Sequence, residues 1–88
     1  MVGEVVKVFE TVQGERNPFR KMLLKVNNQE AENVFVPRIY EISARNEKTE
    51  AMNGKQGRNV RCKVDIVSVE RADFGFRTLL ALNKIEEI

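Results

Sequence analysis

A small all-β barrel of five strands, with one short helix set between the third and the fourth, is the fold that the sequence predicts. Three observations carry this. Apolar and polar residues alternate with a period of two over most of the 88 residues, the mark of half-buried strands. The alternating stretches start near residues 4, 19, 33, 59 and 75, and Gly, Asn or Pro stands between them. The period lapses across one stretch only, residues 38–53. The length suits one domain, residues 1–88, with no second core.

The first stretch has Val2, Val6, Val8 and Val12 on one parity and Val5 and Phe9 on the other. A long strand that curls across a barrel is apolar on both faces in this way. Residues 13–18 read as a loop from Gly14 and Asn17-Pro18. Residues 19–27 alternate strictly: Met22, Leu24 and Val26 on one face, Lys21, Leu23 and Lys25 on the other. Residues 27–30 read as a turn. In the third strand, residues 33–36, Val34 and Val36 point inward and Phe35 outward, and Pro37 is expected to end the strand because it has no N–H to give. Ile39, Ile42 and Met52 are placed along one side of a short helix within 38–53, with Asn53-Gly54 as its stop. The fourth strand sets Val60, Cys62, Val64 and Ile66 against Arg61, Lys63 and Asp65, and Val67 and Val69 on the other parity predict a bulge or a change of face. Residues 70–75 form a turn. In the fifth strand, residues 76–85, both parities are apolar, and the pattern does not choose an inner face.

Composition excludes several classes. Apolar residues are 42% and charged residues 32%, too apolar for intrinsic disorder. The longest apolar run, residues 79–82, is four long, far short of the ~18 that span a bilayer. No signal peptide is readable at the start, which makes a cytoplasmic address the expectation. There is no histidine and one cysteine, Cys62, so His-based triads, His-ligated metals and thiolate clusters are excluded. Gly54, Gly57 and Gly75 are isolated and form no phosphate-cradling loop. The residues therefore predict a binding protein without a cofactor, a metal or a small-molecule substrate, and not an enzyme. Cys62, on the apolar side of its strand, reads as core.

The net charge is only +2, from 15 Lys+Arg against 13 Asp+Glu, but the charges are segregated. Arg16, Arg20, Lys21 and Lys25 stand within ten residues without an acid, and so do Lys55, Arg58, Arg61 and Lys63 within eleven. Such segments make a local positive surface, or equally a solvated strand face that keeps sheet edges apart.

Three strands, a helix and two strands is the order of the OB-fold, a Greek-key barrel. Its most specific piece is Gly57-Arg58-Asn59-Val60-Arg61-Cys62-Lys63-Val64-Asp65-Ile66, followed by residues 76–86 with Leu80, Leu82, Ile85 and Glu86. This resembles the closing strands of small bacterial and phage single-stranded DNA-binding-like and primosomal OB proteins. The resemblance implies a role in DNA replication and a ligand lying across the outer face of strands two and three, gripped by the strand 1–2 and 4–5 loops. On this sequence the face is Lys21, Lys25 and Phe35. One loop supplies Arg16, Phe19 and Arg20; the other supplies Arg71, Phe74, Phe76 and Arg77.

With no Trp, one Tyr and five Phe, stacking on bases falls to phenylalanine, at ~1–3 kcal/mol per base. Phe35 is the foremost candidate, though a cross-strand contact or a dimer interface would also turn it outward. Phe74 either faces the ligand or caps the barrel. Phe76 and Tyr40 suit packing better. The expected partner is single-stranded nucleic acid, DNA ahead of RNA, with no membrane contact; a homodimer would extend so short a groove. A protein-interaction adaptor and an RNA-binding protein are the alternatives, since a barrel does not fix a function.

Overall fold

The computed structural model describes residues 1–14, 17–31, 34–71 and 75–88, with the side chains of 28–31, 34–36, 69–71 and 75–77 outside the described set. Its elements are β1 (Val2–Val8), β2 (Val12–Gln13), β3 (Pro18–Ala31), β4 (Val34–Arg45), a 3-10 helix (Asn46–Met52), β5 (Asn59–Arg71) and β6 (Gly75–Glu87). The sheet order is β1-β5-β6-β4-β3-β2, and β1 also pairs with β3, which closes the circle. All pairings are antiparallel except β4 with β6. Because β1 and β2 both run along β3, they are two halves of one bent first strand. The result is a closed five-stranded barrel of the OB type, with the helix between its third and fourth strands.

The core is Val5, Met22, Leu24, Ile42, Ala44, Met52, Val60, Cys62 and Leu82. Met22 and Leu24 are buried and Lys25 is exposed, with Lys21 and Leu23 between the two, as the alternation of this strand predicts. Burial pushes the Cys62 thiol above its ordinary pKa, which suits a core side chain rather than a reactive thiolate.

The first strand's double parity has a local cause. Val5 pairs with Leu24 and Lys7 with Leu23, so Val6 is an extra residue at a bulge. The bulge puts Val5 in the core and leaves Val6 and Phe9 exposed. Gly3 lies where β1 passes from β5 to β3: Gly3 pairs with Val60, and Glu4 with both Asn59 and Lys25. A Cβ on Gly3 would fall inside the van der Waals shell of the Lys25 carbonyl oxygen. Gly3→Ala is therefore expected to cost about 1–3 kcal/mol, the usual range for overpacking. A urea midpoint unchanged from the parent would show that the closure has room for a methyl group.

Several boundaries differ from the pattern reading. Residues 27–30 are not a turn but part of β3, and Pro37 does not end β4, since the ladder passes through Asn27↔Pro37. On its other edge β4 meets β6 only at Ile42↔Leu80 and Ser43↔Ala81. Pro37 thus sits on a stretch with a single ladder, where a missing N–H is tolerated. Residues 38–45 are strand, and the helix begins only at Asn46, in 3-10 form. Ile42 is buried on β4, Met52 is buried on the helix, and Ile39 is 60% exposed, so these three do not line one helix side. Gly54 has φ of +70°, as a helix stop there requires. The ladder has no bulge at Val67; the register shift in the β5–β6 pairing lies at Lys63/Val64, and the side chain of Val69 is outside the described set.

Beyond the core both hairpins continue as two-stranded arms, to Ala31↔Val34 and to Arg71↔Gly75. Because β4 and β6 run parallel where they meet, the arms leave the barrel at the same end. They account for a radius of gyration of 14.1 Å, against about 12 Å for a compact chain of this length. Ile66, expected to share the core parity, is 73% exposed: it pairs with Leu80 at the β4–β6 junction, but β1 pairs with β5 only at Asn59, Val60 and Arg61, so no described strand flanks its other edge. No helix among the described residues is long and apolar enough to cross a membrane.

Candidate nucleic-acid interface

The outward parity of β3 carries Phe19, Lys21, Leu23 and Lys25. The ladders place Arg45, Ser43, Glu41 and Ile39 beside them on β4. On the other side lie Glu4 opposite Lys25, Lys7 opposite Leu23, and Val12 opposite Phe19. Phe9 joins this face where its N–H donates to the Lys21 carbonyl at 3.0 Å.

Phe9, Glu10, Val12, Phe19, Arg20, Lys21 and Glu41 line a half-open, largely apolar depression of about 350 Å³. Phe9 is 39% exposed and Val12 50%. The Lys7 ammonium stands 4.9 Å from the centroid of the Phe9 ring, a cation–π contact between neighbours on one strand face. Lys21 bridges to Glu41 at 3.2 Å, both about half exposed. The face thus holds four cations, Lys7, Lys21, Lys25 and Arg45, with Glu4, Glu10 and Glu41 among them. Its positive potential is modest, and its larger asset is exposed ring and aliphatic surface.

Of the residues named from sequence, Phe19, Lys21 and Lys25 share this face. Arg20 touches the edge of the depression, but it has the parity of Met22 and Leu24, and its guanidinium turns toward the barrel end. Its Nε donates to the Phe9 carbonyl at 2.7 Å and its Nη1 to the Thr49 carbonyl at 3.2 Å and to Asn53 Oδ1. Arg16 and Phe74 lie outside the described residues. Phe35, Arg71, Phe76 and Arg77 are placed by backbone register on the arms, opposite Gln29, Gly75, Glu70 and Val69, and their side chains are outside the described set. Phe19 thus stands at the barrel end of the long β3–β4 ladder, whereas Arg71, Phe76 and Arg77 belong to the other hairpin, β5–β6. From Phe19 to Ala31 the β3–β4 ladder runs up to roughly 40 Å at ~3.3 Å per residue.

The sequence reading missed Lys7, Phe9, Val12 and Arg45. The adjacent pair Val5-Val6 was the available sign: two neighbouring valines in an alternating run mark a bulge, and past it the outward parity changes. The second basic segment is not part of this face. Arg61 and Lys63 are exposed on β5, across β1 from β3, and Arg58 bridges to Glu87 at 3.7 Å.

Fold and face together define a small OB-type barrel with an aromatic and cationic outer sheet. No protein-family model matches the chain and no curated protein is significantly similar to it, so its fold and residues alone carry the functional reading.

Proposed function

We propose that this barrel binds single-stranded nucleic acid, DNA ahead of RNA, with little sequence preference and without catalysis. The observation that carries the reading is the depression of Phe9, Val12 and Phe19, with Lys7, Lys21, Lys25 and Arg45 around it on one sheet face. Rings at this exposure suit stacking on bases, which tolerates any sequence because every base has a π-face. Cations at the rim suit phosphates. An extended strand laid along β3 and β4 would run from this depression toward the arms.

The arms favour a second reading, an assembly adaptor. At the base of the β5–β6 arm Ile66 and Val67 are exposed at 73 and 41%, and pairing of two copies through such surfaces would lengthen the groove.

The test is a titration of labelled oligo-dT, its RNA counterpart and a duplex, followed by anisotropy at two salt concentrations. The single strand is expected to bind and the duplex not. If Lys7, Lys25 and Arg45 each neutralise one phosphate, log affinity falls with log salt at a slope of about −2. No binding at micromolar protein in low salt would remove the nucleic-acid reading and leave the adaptor.

A further inference from the structure

Arg20 has an inward parity and stands opposite Ala44 at the end of the core, one step past Met22 on β3. Its guanidinium joins three separate segments: the Phe9 carbonyl at the end of β1, the Thr49 carbonyl in the 3-10 helix, and the Asn53 side chain just after that helix. Phe9 lies where the first strand is interrupted, since no strand is formed between Val8 and Val12. Among the described residues two hydrogen bonds hold its backbone there. Its N–H donates to the Lys21 carbonyl, and its C=O accepts from Arg20 at 2.7 Å. The planar fork of an arginine spreads five donors over three nitrogens and so reaches acceptors that lie apart, whereas the three donors of a lysine sit on one nitrogen.

We infer that Arg20 is a positioning residue, which fixes the interrupted strand so that the Phe9 ring stands on the outer face, and that it does not itself contact phosphate. This rests on the nucleic-acid reading and deepens it. The alternative role, a phosphate contact, makes opposite predictions. A phosphate contact contributes to the salt slope and survives replacement by lysine. A positioning fork does neither, and it acts through Phe9.

The test measures oligo-dT affinity and its salt dependence for the full chain and for Arg20→Lys, Arg20→Gln, Phe9→Ala and the Arg20→Gln/Phe9→Ala pair, each confirmed as folded by circular dichroism. Arg20→Lys and Arg20→Gln are both expected to weaken binding by about 3–10-fold with the parent salt slope, since the loss of a phosphate contact would lower it by about 0.7. The double variant is expected to bind within about twofold of Phe9→Ala alone, because residues that act as a unit are not additive. A lowered slope, full retention in Arg20→Lys, or effects that multiply in the pair would each overturn the inference. Should Arg20→Gln not fold, the lysine variant carries the decision through affinity and slope. Failure of the unsubstituted chain to bind would be seen before any variant is compared, and it would remove the function and this inference together.

Discussion

Ile42→Ala is expected to destabilise the domain by about 2–5 kcal/mol, the range for truncating a buried isoleucine. Ile42 is fully buried and, among the described pairings, is one of two β4 residues paired on both edges, with Met22 on β3 and Leu80 on β6. Its side chain fills the core at the parallel junction through which the barrel closes. The cavity left by truncation would open in the core beside Met22, its ladder partner, among residues whose backbones are fixed by ladders or by the helix and cannot readily collapse inward. An 88-residue domain has a stability of roughly 4–13 kcal/mol in total, so the loss is a large share. Urea unfolding followed by circular dichroism measures it. Ile39→Ala, three residues earlier and 60% exposed, serves as the control and should shift stability by less than about 0.5 kcal/mol. Equal effects at the two positions would mean that the junction is not where the barrel is held.

The same contrast shows what was legible in the sequence and what was not. Period two located β3 and the fourth-strand core residues Val60 and Cys62, because there one face meets the core and the other meets water. It failed where that premise fails. Past residue 65 on β5 no strand among the described residues flanks the outer edge, so Ile66 and Val67 are exposed on both parities, whereas Ile39 simply has the outward parity of β4. Pro37 was given the meaning it has in a strand with two neighbours, but it occupies a strand with one. Ile42 was drawn into a helix because Ala44, Glu47, Lys48 and Ala51 favour helix, whereas the demand for a third barrel strand overrode local propensity up to Asn46. In the site, Lys21 and Lys25 were legible from parity. Arg20 was not, since parity pointed it inward while its charge suggested a surface. Phe9 was hidden by the bulge at Val6.

Phe9→Ala is expected to weaken oligo-dT binding by roughly 5–150-fold, corresponding to ~1–3 kcal/mol for one stacked base, while leaving stability nearly unchanged. Three features make it the largest single contributor. Its ring is exposed and lines the apolar depression. Its backbone is held on both sides, through the Lys21 carbonyl and the Arg20 guanidinium, so little order has to be gained on binding. The Lys7 ammonium 4.9 Å from the ring centroid adds a charge beside the stack that suits the phosphate of the same nucleotide. Phe19, by contrast, is half-buried and pairs with Val12 and Arg45, so Phe19→Ala would mix a packing loss with a binding loss and decide less. Phe9→Trp supplies the opposite arm: a larger π-face at the same point should bind at least as tightly as the parent, and its fluorescence should be quenched by added oligo-dT. If Phe9→Ala binds like the parent and the tryptophan reports no contact while oligo-dT is bound, the strand follows another path across the barrel, and the outer face of β1 to β4 is not the one that grips it.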